Sequence, residues 1–275
     1  MELLSHTEIA LLIGGVMVAA AFAGILAGLL GVGGGIVIVP VLFWVFVFIQ
    51  FDPALAMPLA VATSLATIIA TAISSARAHH KRGAVDMVLV KRWGPWMAAG
   101  ALLGGAVAGI VNGTALLLVF GIVGLAVSIN LARPKTLVLA DDLPQAKAAQ
   151  PALAGLIGTV SAMMGIGGGT LGVPILTACS VPVHRAVGTA AAFGLIIAVP
   201  AVIALVIAGL GVEGRPPLSL GYVNLVAAAI ILPISTTLAP RGAQLAHALD
   251  AKWVKRAFAV FLAITSLRML WTALA

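Results

Sequence analysis

Ten apolar runs follow one another with almost nothing between them, near 9–30, 36–51, 54–78, 86–110, 114–131, 151–166, 169–181, 185–210, 218–246 and 252–274. A helix needs about 20 residues to cross a hydrocarbon core of about 30 Å. Most of the runs have that length, whereas 36–51, 151–166 and 169–181 fall short. Side chains are 62% hydrophobic and 8% charged, against about a quarter charged in a soluble domain. Such a chain hides its surface in a bilayer. The balance excludes an ordinary cytoplasmic enzyme, a disordered chain and a nucleic-acid binder, despite a formal charge of +7. The one cysteine, Cys179, leaves no internal disulfide and no Cys-based zinc site. The expected class is an all-α polytopic integral membrane protein. Residues 1–8 carry Glu2 and Glu8 but no Lys or Arg, so the first run is expected to be a retained membrane segment.

The runs come in two sets of five. Gly31-Val-Gly-Gly-Gly35 followed by Val39-Pro40-Val41-Leu42 returns, 134 residues later, as Gly165-Ile-Gly-Gly-Gly169 followed by Val173-Pro174-Ile175-Leu176. Ala60-Val-Ala-Thr63-Ser64 then matches Ala186-Val-Gly-Thr189-Ala190, and Gly83-Ala-Val-Asp86 matches Gly221-Tyr-Val-Asn224. Pro95 with Pro233, Gly104 with Gly242 and Phe120 with Phe258 complete the series. Repeats of this kind imply a duplicated unit. The expected division is a first repeat over 1–131, a cytoplasmic linker over 132–150 and a second repeat over 151–275.

Lys and Arg favour cytoplasmic loops. In the first repeat, the loop after the third run carries His79-His80-Lys81-Arg82, and the next connection, Asn112-Gly113-Thr114, is uncharged. In the second repeat the order reverses: Glu213-Gly-Arg215 is neutral and the following connection carries Lys252, Lys255 and Arg256. The simplest expectation is that the repeats are inverted, which an odd number of segments per copy produces; parallel repeats with uneven charge placement are the alternative. Arg133, Lys135 and Lys147 place the linker in the cytoplasm, with both termini outside.

The two glycine runs fit no nucleotide motif. Ile36 and Thr170 stand where G-x-G-x-x-G needs its last glycine, and no Gly-Lys-Ser/Thr comes after them. Gly24/Gly28, Gly100/Gly104 and Gly105/Gly109 have the spacing of close helix packing. The runs themselves break the helix, and Pro40 and Pro174 constrain the short segments behind them. Short Gly/Pro-interrupted segments at matching positions of two halves point to a transporter binding site. Helices starting at Gly35 and Gly169 would bring two positive N-termini together near the midplane, each inside a re-entrant hairpin. Such ends suit an anion.

At these residues the chain resembles the TauE/SafE sulfite-exporter family. The resemblance rests on Gly31–Leu42, Gly165–Leu176, Ala186-Val-Gly-Thr189 and His80-Lys-Arg-Gly-Ala-Val-Asp86, and it covers essentially the whole chain. It implies a transporter of sulfite, organosulfonates or related small sulfur-containing anions, often in the export direction. Pro58-Leu59 replaces His184-Arg185 ahead of the Ala-Val-x-Thr motif, so any charge from His184 or Arg185 comes from one half only.

The expected substrate-binding set is Gly33, Gly34, Gly35, Pro40, Thr63, Ser64, Gly167, Gly168, Gly169, Thr170, Pro174 and Thr189. His184 and Arg185 are candidate charges near it. The hydroxyls offer donors to oxyanion oxygens, though Ser and Thr also bond carbonyls of their own helix. Arg185, Arg241 and Arg268 read equally as interfacial side chains, Trp93 and Trp96 as interfacial anchors, and the histidines as solvated or interfacial groups. All eight acids fall at the N-terminus, in loops or near segment ends, leaving no mid-membrane proton relay. A coupled proton would ride on the substrate or on a loop-proximal residue such as Asp52 or His184, and facilitated diffusion down a gradient is equally allowed. No cofactor, metal or enzymatic activity is expected.

The reading is thus a multi-pass transporter of the bacterial inner membrane working by alternating access. A passive anion channel and a carrier of another small anion, such as a carboxylate, are the alternatives. The lipid bilayer and the anion are the partners, a homodimer is compatible, and nucleic acid is not a partner.

Overall fold

The computed structural model of the chain describes residues 6–133, 138–144, 146, 148–245 and 251–275, the side chains at 6, 7, 9 and 251–255 excepted. Glu2, Lys135, Lys147, His247, Asp250 and the side chains of Lys252 and Lys255 lie outside the described residues. The described helices are α1 (His6–Leu30), α2 (Gly35–Phe48), α3 (Pro53–His80), α4 (Met87–Ile110), α5 (Gly113–Ala132), α6 (Ala149–Met164), α7 (Gly169–Ala178), α8 (Val183–Gly209), α9 (Leu225–Leu245) and α10 (Ala251–Leu274). Seven are long and apolar enough to cross a membrane, while α2, α6 and α7 are shorter.

Polar residues just ahead of the apolar runs set the boundaries, because a side-chain oxygen satisfies amides that lack a carbonyl one turn back. Asp52 accepts from the Ala54 amide, Asp86 from those of Val88 and Leu89, and Asn112 from that of Ala115. Asn224 does the same for Ala227, which corrects the expected start of the ninth segment from 218 to Leu225. Ahead of that cap, β1 (Ser219–Leu220) and β2 (Val223–Asn224) form a small antiparallel hairpin.

The helices pair across the halves. α1 packs on α9 and α6 on α4, α3 meets α8 and α5 meets α10. The close approaches fall on small residues, as expected: Gly24 and Gly28 lie against Ser235 and Ala239, Gly100 and Gly104 against Gly155 and Thr159, and Gly105 and Gly109 against Ala201 and Ala208. α5 serves as a ruler between the two ends of the bundle. Its Gly113 touches Pro53 and Ala54 at the start of α3, whereas Asn130–Arg133 at its other end share a cavity with Val183 and Val187 at the start of α8.

Two expected interfacial residues are interior. Trp93 is fully buried, donating from Nε1 to Gln150 (3.0 Å) and stacking on Phe193. Burial is tolerated because Gln150 satisfies the indole N–H. His79 is buried too, its Nε2 2.9 Å from the Gly28 carbonyl, since the glycine lets α1 come within reach. Trp96 is half-exposed.

Candidate functional site

The two glycine runs meet in the middle of the molecule. Gly31, Gly33, Gly34 and Gly165 all adopt positive φ, with Gly34 at +81°, a region that side chains disfavour. This frees the chain to turn back between α1 and α2 and between α6 and α7. The runs then cross backbone to backbone. A side chain on Gly35 would strike the Gly165 carbonyl, and one on Gly169 would strike that of Gly31. Gly33 and Gly167 face each other at the centre, and Gly168 lies beneath Phe193. The Ser64 hydroxyl donates to the Gly165 carbonyl at 2.8 Å, tying α3 to the second run.

Thr63 and Thr189 hold the frame. The Thr63 oxygen accepts from the Asn224 amide at 2.9 Å, and the Thr189 oxygen accepts from the Asp86 amide at 3.0 Å. Each long helix thus clips the capped start of a helix from the other half. Arg185 is drawn off as well: it pairs with Asp86 at 2.6 Å. Neither it nor His184 lines the central cavity.

Thr170 has the opposite fate. It sits in the first turn of α7, is 2% exposed, and its hydroxyl has no hydrogen-bond partner. A buried hydroxyl left unpaired costs about 1–3 kcal/mol; Ser161, Thr236 and Ser266 share this state among the described residues, and of the four Thr170 is the one at the start of α7. Thr170 lines a cavity of about 280 Å³ with Gly169, Val173, Pro174 and Thr177 of α7. Leu30, Val183, Val187, Phe258 and the end of α5 close it, and Arg133 and Arg256, both exposed, stand at its basic end. The amides of Gly169, Thr170 and Leu171 have no carbonyl one turn back, so the helix presents a positive end there. Pro174 has no N–H to offer the Thr170 carbonyl, so the same turn also presents an acceptor.

The matching positions of the first half are filled. Ile36, Val39, Phe43, Met57 and Val61, which stand for Thr170, Val173, Thr177, Val183 and Val187, are fully buried. Pro40 is buried in α2. Of the expected site residues, Gly169, Thr170 and Pro174 line the cavity; Gly33, Gly34, Gly35, Gly167, Gly168 and Ser64 form the crossing; and Thr63 and Thr189 are framework. Sequence reasoning missed Asn130 and Thr177 as lining residues. Asn130 was detectable as a polar residue near the end of an otherwise apolar run, but Thr177 bonds its own helix and gave no signal.

The profile of the sulfite exporter TauE/SafE family matches residues 16–269. The chain belongs to the TauE/SafE family. It is 32% identical over 251 residues to a probable membrane transporter protein of Haemophilus influenzae, covering 90% of this chain and 94% of that one. It is 31% identical over 176 residues to the probable membrane transporter protein YunE of Bacillus subtilis, covering 56% of this chain and 63% of that one. No solved structure matches. The protein is therefore a multi-pass inner-membrane transporter of this family.

Proposed function

We propose that the protein exports sulfite, an organosulfonate or a related small sulfur-containing anion by alternating access, with the cavity at Thr170 as its binding site. The unpartnered, buried Thr170 hydroxyl beside the free amides of α7 carries this reading. Together they offer donors to an oxyanion, and the Thr170 carbonyl offers an acceptor to a protonated oxygen of the same ligand. Arg133 and Arg256 raise the local anion concentration at the entrance through their field. The described structure holds no carboxylate at the cavity, so an anion entering it meets no like charge.

Inversion of the two halves supplies the second access route. Several contacts support it: α3 and α8 begin at opposite ends of α5. Along α10, the end of α2 reaches Arg268, whose guanidinium lies 5.2 Å from the Trp44 ring, while α7 shares the cavity with Arg256 and Phe258. Those places are about 18 Å apart at 1.5 Å per residue. Exchanging the packed arrangement at Ile36 with the open one at Thr170 would move the opening to the other face. The cavity draws its walls from both halves, while the matching positions of the first half are packed shut; that asymmetry favours alternation over a passive pore.

The test is uptake of radiolabelled sulfite and sulfonates into proteoliposomes, with empty vesicles as control. Flux should saturate, show counterflow, and fall at least tenfold in Thr170→Val while the variant stays folded. No flux above empty vesicles would sink the proposal. Flux of carboxylates alone would leave the site standing and overturn the substrate class.

A further inference from the structure

A second cavity, of about 570 Å³, opens between α3 and α9, apart from the crossing. Its origin is a proline. Pro240 has no N–H to give the Thr236 carbonyl one turn earlier, and the Ser74 hydroxyl donates there instead, at 3.1 Å. One turn away from the cavity the two helices are locked by the Thr71 and Ser235 hydroxyls, 3.1 Å apart. At Pro240 the cavity lies between them. The Arg82 guanidinium spans the gap to the Ala243 carbonyl at 3.2 Å.

The lining is graded. Ala70 and Ile73 form an apolar end, and Arg77, Lys81 and Arg82 form a basic end with Gln244 opposite. Arg77 and Lys81 are exposed, and neither is ion-paired among the described residues. The Thr236 hydroxyl is buried there without a partner. This end of the bundle brings Arg77, Lys81 and Arg82 of the first half near Arg185 of the second, since α3 and α9 finish together (Arg82 on Ala243) and α4 and α8 start beside them (Arg185 on Asp86). Most Lys and Arg residues mark the side of a membrane protein where anionic lipids concentrate.

We propose that this groove is a binding site for an anionic phospholipid, the phosphate held by Arg77, Lys81 and Arg82 and the acyl chain leaving along Ile73 and Ala70. The gradient from apolar to basic along one groove fits an amphiphile, whereas a free phosphate would use the basic end alone. A lipid held here bridges α3 to α9 beside the Arg82–Ala243 bond, so it clamps one half of the bundle to the other.

Native mass spectrometry of the full chain in detergent tests this, with phosphatidylglycerol, cardiolipin and phosphatidylethanolamine added in turn. The anionic lipids should remain bound after detergent release and phosphatidylethanolamine should not. Binding should fall at least tenfold in R77Q/K81Q and return in the charge-retaining R77K/K81R. If the double variant does not fold, K81Q alone should lower binding severalfold. Equal retention of the neutral lipid, unchanged binding in the glutamine variants, or complete displacement of lipid by millimolar inorganic phosphate would each overturn the proposal.

Discussion

The two glycine runs have nearly the same sequence and opposite surroundings. Both start a short helix at their last glycine, both carry a proline five residues later, and both cross so closely that neither Gly35 nor Gly169 has room for a Cβ. The first run is followed by Ile36 in a sealed apolar shell, the second by Thr170 with its hydroxyl unpaired beside a cavity. Matching backbones therefore build the crossing, and the residue just after each run is packed shut in one half and lines a cavity in the other. Two differences in side-chain polarity, Ile36 against Thr170 and Phe43 against Thr177, accompany the change from a packed face to one that lines a cavity.

This contrast can be broken in three ways. The largest effect is expected at the crossing, where the halves should behave alike. Gly35→Leu and Gly169→Leu should each leave no monodisperse protein in size-exclusion chromatography, since the colliding atoms are backbone. A folded, active Gly169→Leu would mean that the runs are separable and the crossing is not the core of the machine.

Accessibility should then divide them. With Cys179 replaced by Ser, Thr170→Cys should react with a small hydrophilic maleimide at least tenfold faster than Ile36→Cys, because only the former faces the cavity. Equal rates would show both faces open together, as in a channel, and would remove the case for alternation.

Stability should divide them more gently and with opposite sign. Thr170→Val removes an unpaired buried hydroxyl while keeping the shape, so thermal stability without ligand should hold or rise by up to about 1 kcal/mol. Ile36→Thr buries a hydroxyl in an apolar shell and should cost about 1–3 kcal/mol. If both changes destabilise equally, Thr170 is a packing residue rather than a poised donor.

Much of this was legible in the sequence. The ten segments, the starts of α2 and α7 at Gly35 and Gly169, and the packing glycines all come from local rules: apolar length, helix-breaking glycine and small-residue spacing. Other residues were misread because their role depends on a partner far along the chain. Trp93 looks like an interfacial anchor until Gln150, 57 residues later, takes its N–H. The tie from Thr63 and Thr189, whose oxygens accept from the amides of Asn224 and Asp86, was likewise out of reach, since those partners lie 161 and 103 residues away.

The sequence by itself determined that the chain lives in a bilayer, that its helices break at two matched places, and which family it resembles. Hydrophobicity, backbone freedom at glycine and the missing N–H of proline act within a few residues, so they can be read in order. Tertiary structure alone decided which hydroxyls were engaged by the frame and which was left unpaired beside the cavity. A hydroxyl's partner is set by where another helix arrives, and only the folded chain satisfies Thr63 and Thr189 while leaving Thr170 unpaired.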